Sequence, residues 1–435
     1  MMTRGTTHAH AAAMRPASYG HGTILSGAAD EARKSTQGRR MIRERVMALG
    51  QDSIYNLTGL VRTFPLQPQD LEPLENQFTY YTHFLGRAEA LALRHMAADP
   101  KGCSAVLCNR VSAAMLAIML GTLKPGERVL SLVAQGRSHP SVQQAVEVMG
   151  ATFHEVQGLA GLERALHEGT WRMLAITPLT PSMYHLPAAD VAVAIDMAKA
   201  AQQVIFVDDA HMMARSVFYD EPVAFGLGEI DVAVWSLDKH VPGPRGAAIV
   251  GRHDLMRSIM AQAFQLGLEA QSGHYVAMLR GMEAFDPTPI RQAGALARAL
   301  FQRLSATFGP RLYQGGPGVS FSADDFSEVV YERAGTRQTA LVPAEIAITG
   351  CFLLLQHHGV ITIPITGYPG AAPTVRLMMH PDGGRLGLDR LERAIDDTCD
   401  RTAGLLQHPG AVKALLLGEE SRAEEMSPWW QGRAG

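Results

Sequence analysis

The sequence predicts an α/β protein in which a large three-layer domain, built on a mostly parallel sheet, precedes a smaller α+β C-terminal domain. Two observations support this prediction. Short apolar runs alternate with helical stretches between residues 103 and 236, which is typical of parallel strands buried on both faces. After about residue 265 the alternation gives way to a less regular mixture of elements. In such sheets the ligand binds at the carboxyl ends of the strands.

The elements of the large domain follow from apolar runs and from stop signals. Lys124-Pro125-Gly126 ends one helical run, and Pro187 suits the first turn of another. The apolar runs predict strands at 103–108, 128–133, 173–177, 204–208 and 232–236, and the stretches between them predict helices at 112–123, 141–149 and 188–201.

The smaller domain begins with a long helix over residues 290–308, where Pro287 and Pro289 mark the start. A glycine-rich turn at 315–318 follows. We then expect a strand near 328–332, a helix over 343–357, strands at 360–365 and 374–379, and a helix over 386–405. The predicted organisation is a flexible N-terminal arm (1–50, with a short helix at 41–50), a large domain (51–285), a small domain (286–417) and a tail (418–435).

Composition argues against several classes of function. The 435 residues suffice for two or three folding units, and 39 basic residues against 42 acidic ones leave no basic surplus for a nucleic-acid partner. No apolar run approaches the length of a membrane helix. The four cysteines form no Cys-x-x-Cys pair and have no metal-ligand spacing, so we expect neither disulfides nor a metal site. The N-terminus lacks a secretion signal, so we expect a cytoplasmic protein.

Two polar motifs follow the first two predicted strands. Asn109-Arg110-Val111-Ser112 stands where a helix begins, and backbone N–H groups at a helix start can bind an anion. The alternative is that Ser112 merely caps the helix. His139, in the loop after the next strand, can lie flat against an aromatic ligand, or it can be a loop histidine without a partner.

Two further motifs follow the later strands. Asp208 ends the apolar run VIFV, where a buried carboxylate is costly unless a cation meets it. A protonated ring nitrogen of a cofactor is such a cation; the alternative is a capping role. Lys239 follows the apolar run VAVWS, and a lysine among apolar groups has a lowered pKa and can form a Schiff base with an aldehyde. Ser236, three residues before it, can bind an anion.

The four motifs together supply an anion cradle, a stacking ring, a partner for a pyridinium nitrogen and an imine-forming lysine. This set is typical of a pyridoxal 5′-phosphate site, in which the cofactor acts as an electron sink.

The chain resembles fold-type I pyridoxal-phosphate enzymes, the aspartate-aminotransferase superfamily, over roughly residues 50–410. Residues 55–63 (YNLTGLVRT), together with Asp238-Lys239 and Gly243-Pro244, resemble selenocysteine synthase and D-glucosaminate-6-phosphate ammonia-lyase. The opening stretch is one residue shorter than in that group. The segment 208–211 (DDAH), with Ser138-His139, resembles α-oxoamine synthases, and residues 239–246 are similar to serine hydroxymethyltransferase.

The resemblance implies a role for each site residue. Lys239 is similar to the lysine that carries the cofactor and later acts as a base, Asp208 to the carboxylate at the pyridine nitrogen, and His139 to the stacking residue. Arg376 resembles the arginine that binds the substrate α-carboxylate, although a surface charge on an edge strand is the alternative. The remaining assignments are His211 near the phenolic oxygen of the cofactor, and Val111, Ser112 and Ser236 at its phosphate.

The resemblance implies an enzyme that acts on a small amino acid and forms a homodimer or homotetramer. The first hypothesis for its reaction is a lyase or aldolase that breaks the Cα–Cβ bond or eliminates a β-substituent. An aminotransferase comes second and an α-oxoamine synthase-like acyltransferase third. Outside enzymes, a non-catalytic cofactor-binding protein is the remaining class.

Overall fold

A computed structural model describes residues 22–366 and 373–418 of the chain. Twelve strands lie within this part: β1 Tyr55–Asn56, β2 Cys103–Cys108, β3 Arg128–Val133, β4 Thr152–Gln157, β5 Met173–Ile176, β6 Val204–Asp208, β7 Val232–Ser236, β8 Ala247–Arg252, β9 Leu312–Gln314, β10 Gly318–Phe321, β11 Val360–Ile361 and β12 Val375–Met378.

The α-helices of the described part are α1 Ala28–Leu49, α2 Leu71–Glu75, α3 Gln77–Phe84, α4 Arg87–His95, α5 Val111–Thr122, α6 Pro140–Val148, α7 Gly158–Glu168, α8 Ala188–Ala200, α9 Met212–Tyr219, α10 His253–Gln265, α11 Ser272–Glu283, α12 Thr288–Phe308, α13 Ala323–Ala334, α14 Pro343–Leu353, α15 Ile363–Thr366, α16 Gly383–Leu386, α17 Leu388–Leu405 and α18 Pro409–Leu417. The five strands and three helices predicted for the large domain are confirmed to within one residue at each end.

The main sheet has seven strands in the order β2-β8-β7-β6-β5-β3-β4. Strand β8 is antiparallel to both its neighbours, and the other pairs are parallel. Strand β2 therefore runs in the same direction as β3, β5, β6 and β7. The loops after these five strands all emerge at one edge of the sheet, where the predicted site residues stand.

Helices cover both faces of this sheet, because the side chains on both faces of its strands are apolar. In β6, Ile205 and Val207 enter one core with helices α4, α7, α8 and α11, whereas Val204 and Phe206 enter a second core with α5, α6 and α10. The predicted three-layer α/β class is confirmed. Parallel strands buried on both faces explain the continuous apolar runs.

A third core lies in the C-terminal part of the chain. The antiparallel sheet β12-β10-β9 packs there with α12, α13, α14 and α17. Two earlier residues, Tyr55 and Leu57, join this core, because β1 pairs in parallel with β11. The chain therefore passes through the C-terminal part before it builds the main sheet.

The short helix expected at 41–50 is confirmed as the end of helix α1, but the prediction of a flexible arm is wrong for residues 28–40, which form the rest of this helix. Its Glu31 and Lys34 are buried and pair with each other, and Arg33 donates a hydrogen bond to the carbonyl of Leu417 at 3.1 Å. The first part of the helix was missed because its buried face is polar, so the sequence shows no apolar period. Residues 1–21 of the expected arm lie outside the described residues.

The strand expected near 328–332 is wrong, because these residues belong to helix α13. Ser322 caps the helix by accepting a hydrogen bond from the N–H of Asp325 at 3.0 Å. Phe326, Val329 and Val330 are buried at helical spacing. The strand expected at 360–365 is shorter, because β11 ends at Ile361 and α15 begins at Ile363. The tail predicted from residue 418 lies, beyond Gly418, outside the described residues.

Candidate active site

The loops at the carboxyl edge of the main sheet surround a cavity of about 350 Å³, which β12 and the loop after β1 close from the C-terminal side. All eight predicted site residues line this cavity: Val111, Ser112, His139, Asp208, His211, Ser236, Lys239 and Arg376. The structure therefore brings together side chains that span more than 260 positions of the sequence. Their individual roles remain predictions.

Lys239 lies in the loop after β7, and the segment after β1 holds this loop in place. The N–H of Val61 donates to the carbonyl of Asp238 at 2.8 Å, and Leu60 pairs with Lys239 in an antiparallel bridge. Burial lowers the pKa of Lys239, against the opposing charges of Asp208 and Asp238, while Arg376 and Arg62 lower it further. A lowered pKa increases the fraction of neutral amine, which is the nucleophilic form.

Asp208 is the last residue of β6 and is 3% exposed. The N–H of Ala210 donates to its Oδ1 at 3.3 Å. Burial raises the pKa of Asp208 to about 6, although the charge of Lys239 opposes the shift. Because a second donor with positive charge would stabilise the carboxylate, this position suits a protonated ring nitrogen.

Asp209, the next residue, points to a different environment. Arg215 of α9 donates to both its carboxylate oxygens, from Nε at 3.0 Å and from Nη2 at 2.6 Å. Arg215 also bonds Glu221, which in turn contacts His185 at 3.0 Å. We call these four residues the carboxylate network. It anchors the end of β6, so that Asp208 is held at the cavity wall.

Two histidines of the cavity wall are neutral. The Nδ1 of His139 accepts hydrogen bonds from the N–H of Ser141 at 3.2 Å and from its hydroxyl at 2.7 Å. Burial lowers the pKa of His139 to about 3, helped by the charges of Lys239 and Arg110. Burial also holds the pKa of His211 well below its usual value, and within the described residues its buried Nδ1 has no hydrogen-bond partner. A ligand atom in the cavity can therefore satisfy His211.

Helix α5 begins at the cavity, where Val111 and Ser112 of its first turn form part of the wall. Arg110, the N-cap residue, has extended backbone angles and also lines the cavity. Backbone N–H groups, the Ser112 hydroxyl and a guanidinium together suit a phosphate group. The Ser236 hydroxyl instead donates to Asp238 Oδ1 at 2.8 Å, a contact that the sequence did not indicate.

Arg376 lies on β12 and is 3% exposed, which argues against the surface-charge alternative. It donates to the carbonyl of Pro181, while its buried Nε has no partner within the described part of the chain. Burial lowers the pKa of Arg376 to about 10. A guanidinium in this position suits a bidentate carboxylate.

Sequence reasoning missed three charged residues of the cavity wall, Arg62, Asp238 and Arg245. Arg62 Nε bonds Asp238 Oδ2 at 3.1 Å across 176 positions of the chain. Asp238 and Arg245 could have been found, since they flank Lys239 in the lysine loop. No local signal pairs Arg62 with Asp238. Thr177, directly after β5, and Gln144 complete the polar wall and were also missed.

The donor set fits pyridoxal phosphate. The cavity offers an amine, a buried carboxylate, a buried imidazole atom without a partner and a helix N-terminus with a hydroxyl. Within residues 22–366 and 373–418 there is no cluster of metal-ligating side chains, and no helix is long and apolar enough to cross a membrane. All four cysteines are buried thiols.

Comparison with known proteins gives the same cofactor. Residues 314–386 match the family described as the UPF0425 C-terminal domain. The chain is 30% identical over 400 residues to a "UPF0425 pyridoxal phosphate-dependent protein" of Methanothermobacter thermautotrophicus, covering 91% of this chain and 100% of the relative. A protein of the same name from Methanosphaera stadtmanae is 28% identical over 376 residues, covering 86% and 95%.

The fold is similar to that of N-succinyldiaminopimelate aminotransferase from Mycobacterium tuberculosis. The TM-score is 0.55 at 18% identity, and the match covers 86% of this chain and 96% of the other. At this identity the likeness establishes the fold alone. It confirms the predicted fold-type I architecture.

Proposed function

Because the chain belongs to the UPF0425 pyridoxal phosphate-dependent proteins, whose cofactor it shares, we propose that it is an enzyme acting on a small amino acid. Its reaction breaks the Cα–Cβ bond or eliminates a β-substituent. The observation that carries the proposal is that Lys239, Asp208 and Arg376 line one cavity. An amine, a carboxylate for a ring nitrogen and a guanidinium for an α-carboxylate are the groups that this chemistry requires.

Bound pyridoxal phosphate supplies an aldehyde and an electron-withdrawing ring that weakens the bonds at the Cα of an amino acid. Lys239 supplies the attacking amine and, once free of the cofactor, a base that moves a proton at Cα or Cβ. Asp208 keeps the ring nitrogen protonated, because its buried carboxylate has a strong preference for a cationic partner. The carboxylate network fixes its position.

Arg376 orients the substrate by its α-carboxylate, and Leu60, Leu179 and Ile363 restrict water at the same wall. His139 would hold the cofactor ring, since it lines the same cavity. Its Nδ1 accepts from Ser141, so the hydrogen is on Nε2 and the ring cannot rotate freely. Residues from separate parts of the chain thus position the Cα atom of the substrate.

Support for cleavage over transamination comes from the segment 56–63, which resembles the opening stretch of selenocysteine synthase and the ammonia-lyases. This segment pairs with the lysine loop through Leu60 and Lys239. The carbonyl of Gly59 accepts from the N–H of His240 at 2.9 Å. Gly59 has φ +77°, and a Cβ there would lie 2.9 Å from His240 Nε2, so the close approach requires glycine.

We also propose a cytoplasmic homodimer or homotetramer. Helix α3 and the residue after it expose Phe78 (84%), Tyr81 (47%) and Leu85 (66%). Apolar side chains this exposed in one short stretch favour a covering copy of the chain. Sedimentation of the holoenzyme at micromolar concentration tests this, and a monomer contradicts it.

The test of the function mixes holoenzyme with single amino acids and assays aldehyde, pyruvate and ammonia. We expect at least one of these products from one amino acid without any added 2-oxo acid. A strict requirement for a 2-oxo acid would contradict the lyase proposal and favour an aminotransferase. A requirement for acyl-CoA would favour the synthase.

Lys239→Ala should abolish turnover and the near-ultraviolet absorbance of the lysine-bound cofactor while leaving the folded state intact by circular dichroism. Lys199→Ala is the matched control, because Lys199 is exposed and paired with Glu229. A borohydride-reducible adduct that persists in Lys239→Ala would remove Lys239 from its role.

A further inference from the structure

A cluster of arginines lines the same cavity as Lys239 and Arg376. Arg62, Arg110 and Arg245 line the cavity, and the charge of Arg39 reaches Arg62 and Arg245 from outside it. We call Arg62 and Arg245 the distal arginines. The charges of both Arg376 and Arg62 act on Lys239. Arg376 and the distal arginines are therefore two cationic regions of the cavity wall near the reacting amine.

The electrostatics of the distal arginines favour an added anion. Burial, together with the positive charges of Arg62 and Arg110, lowers the pKa of Arg245 to about 10, against the opposing charge of Asp238. Burial also lowers the pKa of Arg62. Like charges held together in a partly buried wall destabilise one another, and an anion among them removes this cost.

Arg62 lies close to the lysine loop, so an anion that it binds would lie near the reacting amine of Lys239. Residues 60–61 pair with residues 238–239, so Arg62 follows directly on the segment that lies along the lysine loop. Its Nε bonds Asp238, and its Nη1 donates to the carbonyl of Thr366 at 3.3 Å. The helix N-terminus at Val111 and Ser112 already offers donors for the cofactor phosphate, so Arg62 and Arg245 are not needed for it.

Building on the proposed function, we propose that the substrate carries a second acidic group on its side chain, a carboxylate, sulfonate or phosphate ester, and that Arg62 and Arg245 bind it. The α-carboxylate binds Arg376. Because the substituents of a tetrahedral carbon diverge, a side chain then extends away from Arg376 and toward the distal arginines. The two cationic regions thereby select acidic amino acids over neutral ones of the same shape.

The test is a titration of the holoenzyme, followed by the absorbance of the bound cofactor. The matched ligand pairs are aspartate and asparagine, glutamate and glutamine, and O-phosphoserine and serine, with cysteate as the sulfonate. We expect the acidic member of at least one pair to bind about tenfold tighter or more, and the best pair identifies the acid. In Arg62→Gln and Arg245→Gln this preference should fall below about twofold. Arg337→Gln, an exposed arginine paired with Glu328, should retain it.

Equal affinity for the acidic and neutral members in the wild type would overturn the proposal. So would an unchanged preference in both variants accompanied by weaker binding of pyridoxal phosphate to their apoproteins, because the guanidinium groups would then serve the cofactor phosphate. If no amino acid changes the wild-type spectrum, the proposed function fails, and the subsite is tested separately. Succinate should then raise the Tm of the holoenzyme more than butyrate does, and not in Arg62→Gln; no difference overturns the subsite.

Discussion

The buried carboxylates of Asp208 in the cavity wall and Asp209 in the carboxylate network differ in their pairing, although the two residues are adjacent. Asp209 receives two hydrogen bonds from a fully buried guanidinium. Asp208 receives one from a backbone N–H, and its pKa is raised to about 6 by burial. The network is complete without a ligand, whereas the wall has buried polar atoms, His211 Nδ1 and Arg376 Nε, that have no partner within the described residues. Buried polar groups that lack partners, next to groups that are fully paired, therefore indicate the site better than burial alone does.

Substitution of Arg215 should have the largest effect, because it removes the cation of the carboxylate network. Arg215→Met leaves Asp209 buried without its cation, so we expect the free energy of unfolding to fall by about 3–5 kcal/mol. Urea unfolding of the apoprotein measures this. Arg337→Met is the control, since Arg337 is an exposed arginine paired with Glu328, and should lose little stability.

A loss below about 1 kcal/mol in Arg215→Met would show that the network adds little stability, and that Asp208 is positioned by the sheet alone. The absorbance of the lysine-bound cofactor in the folded fraction should be retained, because the network positions Asp208 and not Lys239, and Arg215 does not line the cavity.

Asp208→Asn should have the next largest effect, and on function rather than on folding. The amide keeps the acceptor for the N–H of Ala210 but removes the charge that holds the ring nitrogen protonated. We expect turnover to fall about 10²- to 10³-fold, which is about 3–4 kcal/mol. Steady-state kinetics measure the change. Turnover within threefold of wild type would contradict the assignment of Asp208.

The sequence predicted the strands of the main sheet well because their residues are buried on both faces, which leaves a continuous apolar signal. It also placed Asp208 and Lys239, since a polar residue at the end of such a strand must emerge at the ligand edge. It could not show that Asp209 is the paired neighbour, because Arg215 is buried only through tertiary packing. Local patterns cannot reveal a contact such as Arg62–Asp238, which depends on the path of the whole chain.

The other prediction errors came from a helix with a polar buried face and from a short run of β-branched residues. Helix α1 buries Glu31 and Lys34 against each other, so it lacks the apolar stripe by which a helix is predicted. In α13 the residues Val329 and Val330 suggested a strand because β-branched residues favour strands. The cap at Ser322 and the spacing from Phe326 decide for a helix.

The pH dependence of the stability of the apoprotein tests the raised pKa of Asp208. A carboxyl whose pKa rises from 3.8 to about 6 on folding adds stability below pH 3.8 that is lost as the pH rises through 6. Asp208→Asn removes this dependence. Relative to wild type, the variant should therefore gain about 2–3 kcal/mol between pH 4.5 and pH 8.

The buried neutral histidines act in the opposite direction. His139 has its pKa lowered to about 3 and His380 to about 4, so they favour the folded state above their usual pKa and lose this contribution as the pH falls. They are present in both proteins and cancel in the difference. Urea unfolding of both apoproteins across this range measures it, and a difference that is constant with pH would refute the raised pKa of Asp208.

The smallest effect is expected for Ser141→Ala, which tests how much the hydrogen bonds to His139 contribute to cofactor binding. His139 Nδ1 accepts from both the N–H and the hydroxyl of Ser141, so Ser141→Ala removes one of two donors and leaves the helix cap in place. One neutral hydrogen bond is worth about 1 kcal/mol, and we expect the Kd of pyridoxal phosphate to rise about fivefold. Titration of the apoprotein measures this. A rise above about fiftyfold would mean that the hydroxyl alone orients the ring, because the remaining backbone donor would then be insufficient to hold it.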